Sequence, residues 1–289
     1  MQAFLHQLAS GFASGCIYAC LALALVMIYQ STHHINFAQG EMAMFSTYLA
    51  ATAIQAGIPY WAAFFGVLLL SLAGGAAIHQ IFIRPVEKAP VLSAVAIFIS
   101  LLVIFNSLAG WIWGFTSRSF PSPFDGWKAG APYLSGHELG LVLVTLAVLG
   151  VVFAFFRFTV VGLAMRAAAQ NPVSSQLAGI PVGATLALGW GLAAALGSVA
   201  GMMAAPLLYL DPHLMSGLLL YAFAGALLGG ITNSWGAVAG GILIGVAENL
   251  AGAYLVGTEL KLVFALCVIL LVLLVRPAGL FGRATVVRV

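Results

Sequence analysis

Residues 8–29 read LASGFASGCIYACLALALVMIY, an unbroken stretch with no charged side chain. About 20 predominantly apolar residues are needed for a helix to cross the hydrocarbon core of a bilayer, and this stretch meets that length. The pattern recurs along the chain at roughly 38–56, 60–83, 90–112, 138–156, 183–210, 217–231, 236–256 and 260–275. The whole sequence agrees. Of its 289 residues, 63% are hydrophobic and 6% charged, where a soluble domain carries roughly 25% charged residues. So few charges cannot cover a solvated surface, and disorder needs the opposite composition. The sequence therefore predicts an all-α, polytopic transmembrane helical bundle. It has about eight or nine membrane segments, broken or half helices among them, in a single transmembrane domain over 1–289. Segments 38–56, 217–231 and 236–256 are the weakest as full spans, because they are short or rich in glycine.

Sidedness follows from Lys and Arg. If all nine segments cross, Arg84, Lys88, Arg157, Arg166, Arg276, Arg283 and Arg288 fall on one side, and Arg118, Lys128 and Lys261 on the other. The first set marks the cytoplasm and places the C-terminus there. Residues 113–137 then form an extracytoplasmic loop with Trp111, Trp113 and Trp127 near the interface, and 157–182 a cytoplasmic loop. In the latter, 163–170 has helix-forming character. Asn171-Pro172 reads as an N-cap with Pro at the first helical position, and Gly179 as a C-terminal stop. Two readings stand for this loop, a short helix-turn-helix on the cytoplasmic face or an ordinary tether.

Chemistry of the soluble kind finds no pattern. The sequence has no G-x-x-x-x-G-K-[ST], so this chain builds no P-loop itself. His137-Glu138 lacks the second His of a zincin helix, and His33-His34 lacks a carboxylate or thiol at metal spacing, so no metal is expected. Scattered basic residues and a net charge of +3 argue against nucleic acid. Cys16, Cys20 and Cys267 read as small apolar packers. The densest polar cluster is Ser31-Thr32-His33-His34-Ile35-Asn36-Phe37-Ala38-Gln39-Gly40-Glu41. Asn36 with Gln39 fits a capping box, and Glu41 sits near the positive end of the helix dipole. The cluster is either a well-capped helix start or a gate at the inner mouth. Intramembrane acids cost about 2.5–3.5 kcal/mol each on insertion scales. Glu248-Asn249 therefore joins Asn36 and Glu41 as a candidate for the translocation path or gate, whereas Glu259 and Lys261 can snorkel from a helix end. Glycines four apart, Gly197/Gly201, Gly225/Gly229, Gly236/Gly240 and Gly241/Gly245, let helix backbones approach closely in lipid. The run from Leu227 through Gly229, Gly230 and Asn233 to Gly236 reads as a break between two half-helices. Packing and conformational bending are both open readings for these glycines.

Several of these pieces together resemble the LivH-type permease, the inner-membrane subunit of branched-chain amino acid ABC importers. The resemblance rests on Gly15-Cys16-Ile17-Tyr18-Ala19, Ile28-Tyr29 and Asn36-Phe37-Ala38-Gln39-Gly40-Glu41, then on Arg84-Pro85. It continues through Gly162-Leu163-Ala164-Met165-Arg166-Ala167, Gln170-Asn171 and Leu177-Ala178-Gly179-Ile180. It ends with Leu228-Gly229-Gly230-Ile231, Trp235-Gly236-Ala237-Val238-Ala239-Gly240-Gly241, Gly245 and Arg276-Pro277-Ala278-Gly279-Leu280-Phe281-Gly282. Gln39 departs from the His often found in relatives. The resemblance implies a permease subunit rather than an enzyme, multi-pass in the bacterial inner membrane, carrying branched-chain or related small amino acids. Its implied partners are a second, longer permease, two cytoplasmic ATP-binding subunits that hold the ATP, an extracytoplasmic binding protein and membrane lipid. It makes Arg166, Gln170, Asn171, Gln176 and Gly179 the ATPase-coupling region. An ion-gradient-driven transporter or a channel for small polar solutes is the other reading of the residues.

Overall fold

The computed structural model describes residues 1–32, 34–86, 89–127 and 133–282. His33, Lys88, Lys128, Arg283 and Arg288 lie outside the described residues, as does 128–132 of the expected outer loop. The described chain is helical: α1 (Gln2–Thr32), α2 (Gln39–Gln55), α3 (Tyr60–Ile78), α4 (Val91–Trp113), α5 (Gly136–Phe158), α6 (Val160–Gln170), α7 (Pro172–Leu177), α8 (Val182–Leu208), α9 (Leu214–Gly229), α10 (Ser234–Tyr254) and α11 (Lys261–Val275). A π turn, His79–Ile83, and a 3-10 turn, Arg84–Val86, extend α3. Extended pairing among the described residues is confined to an isolated bridge between Arg118 and Leu210.

Among the described residues, seven helical stretches are long and apolar enough to cross a membrane: those of α1, α4, α5, α8 and α10, with Tyr60–Val86 and Thr258–Val275. The sequence expects eight or nine segments. The difference is α2, with 17 residues, and α9, with 16. At 1.5 Å per residue these reach about 25 Å, short of a hydrocarbon core of about 30 Å. The suspicion against 236–256 is corrected, since α10 is a continuous helix of 21 residues. Its glycines are offset by neighbours that close onto them.

The chain divides into two compact units, one of 1–26, 124–143 and the residues from 217 onward, the other of 27–123 and 144–216. In the first unit, α1 and α10 run antiparallel with their backbones in contact. A Cβ at Gly15 would lie 2.8 Å from the Ile242 Cα, and one at Gly241 would lie 2.6 Å from the Ala19 nitrogen. Helix α9 meets the same glycines from another side, where a Cβ at Gly225 would lie 2.6 Å from the Gly241 Cα. Residues 15–28 of α1 are all buried, as expected of a helix apolar on every side. The expected break is real. Gly230 has φ +108, and Asn233 Oδ1 caps α10 by accepting from the Trp235 and Gly236 amides. The closing segment docks on this turn, with Leu280 N donating to Leu228 O (2.7 Å), Phe281 N to Gly229 O (3.1 Å) and Asn233 Nδ2 to Phe281 O (3.1 Å).

In the second unit α8 is central. Helix α3 packs antiparallel to it, where a Cβ at Gly75 would lie 2.6 Å from Trp190 O. Trp190 is fully buried and stacks on Phe98 at 6.0 Å. Helix α2 runs parallel to α8, Gln39 lying beside Ala193 and Gly197, and Thr47 beside Gly201. Helix α6 leans on α8 through Met165, whose Cε would be 3.5 Å from a Cβ at Gly189.

These contacts predict a selective glycine response. Gly15→Val forces α1 off α10 and lowers stability by at least the 1–3 kcal/mol typical of overpacking. Gly74→Val faces open space and leaves the thermal midpoint of the detergent-solubilised protein unchanged.

Candidate functional site

Polar side chains collect in three places. The first is the start of α2. Asn36, Gln39 and Glu41 are all buried, but Asn36 and Gln39 form no capping box. Asn36 Oδ1 accepts from Ala38 N at 3.0 Å, and the N-cap Ala38 has no side-chain bond. Gln39 turns away, and its Nε2 donates to Ala193 O of α8 at 2.9 Å. Gly197 makes room, since a Cβ there would lie 2.7 Å from that Nε2. The tertiary acceptor draws the side chain away from the backbone N–H that a capping box would offer it. Ala193 lies about 16 Å along α8 from its first residue, so the start of α2 sits deep beside α8 rather than at its end. Glu41 faces α4, where Asn106 Nδ2 donates to Glu41 Oε2 at 3.4 Å and to Pro212 O at 2.8 Å. Beyond it on the same helix, Tyr48 stacks on Trp113 at 4.9 Å. Trp113 Nε1 donates to Thr52 Oγ1, and Arg118 and Leu210 exchange two backbone hydrogen bonds.

The second is α10. Glu248, 3% exposed, accepts from the Tyr18 hydroxyl at 3.1 Å. Tyr221 lies beside Glu248, and its ring stacks on Tyr18 at 5.1 Å. Asn249 points elsewhere, donating to Gln7 O (2.8 Å) and Gln7 Oε1 (3.0 Å) and accepting from Lys261 Nζ at 2.9 Å. Lys261 therefore does not snorkel. Its ammonium turns onto α10, where a polar acceptor is available. Gly229, Gly230, Gly236, Gly240, Gly241 and Gly245 lie in the close contacts of α9 and α10 with each other, with α1 and with the closing segment.

The third is 160–184. Thr159 caps α6 by accepting from Gly162 N at 3.0 Å. Asn171 caps α7 by accepting from Ser174 N at 3.0 Å, with Pro172 first in the helix. Gly179 ends it with φ +80. Arg166, Gln170, Asn171, Gln176 and Gly179 are all exposed, and within α7 only Ser175 is buried. An open cleft of about 470 Å³ lies between α7, the start of α8 and the end of α3, lined by Gln80, Arg84, Gln176 and residues 179–184.

The sequence reading missed Asn106, Tyr18, Tyr221 and Gln7. A signal existed for Asn106, a carboxamide within an otherwise apolar span, which is costly unless it has partners. Also missed was Ser135-x-x-Glu138, the capping box that does form: Glu138 N donates to Ser135 Oγ and Ser135 N to Glu138 Oε2 at 2.8 Å. Among the described residues no group of three His, Cys, Asp or Glu is placed to hold a metal.

A family model described as branched-chain amino acid transport system / permease component matches residues 7–273. The chain belongs to this family. It is 32% identical to the high-affinity branched-chain amino acid transport system permease protein LivH of Salmonella typhimurium, over 99% of this chain and 98% of that one. It is 30% identical to the permease protein BraD of Pseudomonas aeruginosa over the same shares of each. A probable LivH of Methanocaldococcus jannaschii is 29% identical over 91% of this chain and 87% of its own. No solved structure matches. The chain is thus a multi-pass membrane permease, a transport component and not an enzyme, and all three polar regions fall inside the matched span.

Within this permease, Lys261→Met leaves Asn249 Oδ1 without its donor and removes the ammonium beside Glu248. A loss of about 1–3 kcal/mol is expected for a buried polar group left unmatched. Tyr18→Phe costs less, about 0.6 kcal/mol, the average for hydrogen bonds between membrane helices. Thermal unfolding in detergent ranks the two.

Proposed function

We propose that this permease is one transmembrane subunit of an ATP-driven importer for branched-chain or closely related small amino acids. The observation that carries the reading is the end-to-end correspondence with permeases named for that transport. The protein works as a single permease domain in the bacterial inner membrane. A second, longer permease completes the path, two cytoplasmic subunits bind ATP, and an extracytoplasmic binding protein delivers the substrate. The absence of a P-loop motif from the sequence supports an energy source on other chains. The excess of Lys and Arg puts 157–182 and the C-terminus in the cytoplasm and 113–137 outside. Helices α9, α10 and α11 alternate in direction, and the docking of 280–281 beneath the 230–233 turn puts Arg276 at the same end as that turn. This supports counting α9 as a further crossing in the assembled transporter.

Coupling runs through α6 and α7. Helix α7 is a short, capped projection with Val173 and Leu177, 68% and 85% exposed, one turn apart on one side. Such an apolar knob fits a groove on an ATPase subunit, with Arg166, Gln170, Asn171, Gln176 and Gly179 around it. Motion at α7 reaches α8 through Met165 against Gly189 and through the 178–181 turn. Helix α8 holds Gln39 at Ala193, and so moves the start of α2, where Asn36 and Glu41 line the path. In the other unit, Glu248 and Asn249 tie α10 to α1 and α11 and are the candidates there for the path or gate. ATP binding by the partner subunits thereby switches access from one side to the other.

Leu177→Asp is expected to reduce ATP-dependent leucine uptake by the reconstituted importer about tenfold or more, equivalent to about 1.4 kcal/mol of lost docking, with weaker ATPase co-purification. Gly179→Val adds about 1–2 kcal/mol of left-handed backbone strain and acts in the same direction. Leucine uptake driven by a proton or sodium gradient, without nucleotide, would overturn the reading.

A further inference from the structure

The two acids buried in membrane-embedded helices differ in their compensation. Glu248 has the Lys261 ammonium acting on it and accepts a hydrogen bond from the Tyr18 hydroxyl. Glu41 is 5% exposed, and among the described residues no Lys or Arg pairs with it. The basic side chain that acts on it is His213, exposed on the 211–213 turn. Its bond from Asn106 is long, 3.4 Å, because the same amide nitrogen is drawn to Pro212 O at 2.8 Å. Two turns along the same face of α2, the Tyr48 hydroxyl is buried with no hydrogen-bond partner. A carboxylate buried between α2 and α4, with a loose neutral donor and no Lys or Arg of its own, is an incomplete ion pair, and burying one without a partner is costly.

We infer that Glu41 receives the ammonium group of the amino acid in transit, and that Asn106 is the positioning residue that orients it. The inference rests on the reading of the chain as an amino acid permease. The incoming ammonium supplies the missing cation and donates to the Glu41 carboxylate. Asn106 stays bonded to Pro212 O and holds the carboxylate toward α4. Because Pro212 lies in the segment that follows the Arg118–Leu210 bridge, Asn106 also links occupancy at Glu41 to that segment. Charge, rather than side-chain shape, is what this position reads. The site accordingly suits a primary ammonium and not the corresponding neutral or purely anionic solute.

The test is ATP-driven uptake of labelled leucine by the complete importer in proteoliposomes, comparing wild type with E41D, E41Q and N106L. Glutamine keeps the shape and the acceptor for Asn106 but removes the charge. E41Q is expected to lower uptake at limiting leucine by about tenfold or more, through a raised KM, in a complex that still assembles with a thermal midpoint no lower than that of wild type. E41D recovers part of the loss, and N106L raises KM with a smaller effect on the maximal rate. Uptake by assembled E41Q within about twofold of wild type overturns the inference, as does a lowered thermal midpoint with KM unchanged, which would make Glu41 a helix-dipole partner. If E41Q does not assemble, N106L decides: a raised KM supports the site and a wild-type KM overturns it. Failure of the wild-type importer itself to take up leucine overturns the amino acid reading, and this inference with it, a result distinct from failure of the variants alone.

Discussion

Helix α10 is clasped through glycine on two sides. Lipid tails are as apolar as leucine, so no hydrophobic force drives one membrane helix onto another. Close backbone contact and interhelical hydrogen bonds must do the work. Gly240 and Gly241 meet α9, Gly241 and Gly245 meet α1, and Gly236 meets Gly229 at the turn between α9 and α10. Everything else in that unit follows from this approach. It brings Tyr18 and Tyr221 to Glu248, brings Gln7 to Asn249, and leaves the α9–α10 turn free to seat the closing segment.

The other unit uses the same economy with polar groups added. Helix α8 carries Gly189, Gly191, Gly197 and Gly201 along its length, and each admits part of a neighbour: Met165, the Leu72 carbonyl, the Gln39 amide and Thr47. The result is a helix that senses α6 at its first half and α2 further on. A short, exposed α7 is tied to the same rod by the 178–181 turn. The coupling proposed for α7 would run along this rod to the buried start of α2.

What the sequence made legible was local. The Asn171 cap, Pro172 and the Gly179 stop lie within a few residues of the groups they serve, and the structure holds all three. The break at 229–236 was equally plain. Capping boxes show the limit. Asn36-x-x-Gln39 and Ser135-x-x-Glu138 both fit the pattern, and only the second forms, because Gln39 finds a carbonyl 154 residues away. Asn106 meets Glu41 across 65 residues, a pairing that no periodicity contains. Lys261 looked like a terminal charge and is instead spent on Asn249. Span lengths were legible in part. The glycines that weaken α10 in isolation are the ones its neighbours fill, whereas α2, at Gln39–Gln55, is as short as its sequence suggests.

The contact between Gln39 and Gly197 carries an evolutionary consequence. The amide that reaches Ala193 occupies the volume a methyl group at 197 would need. A methyl group at 197 therefore requires the Gln39 amide to give up Ala193. A relative with alanine at the equivalent of 197 must carry a shorter or differently directed side chain at the equivalent of 39. Joint substitution at the two sites, far apart in the gene, is the trace this packing is expected to leave in sequence across relatives.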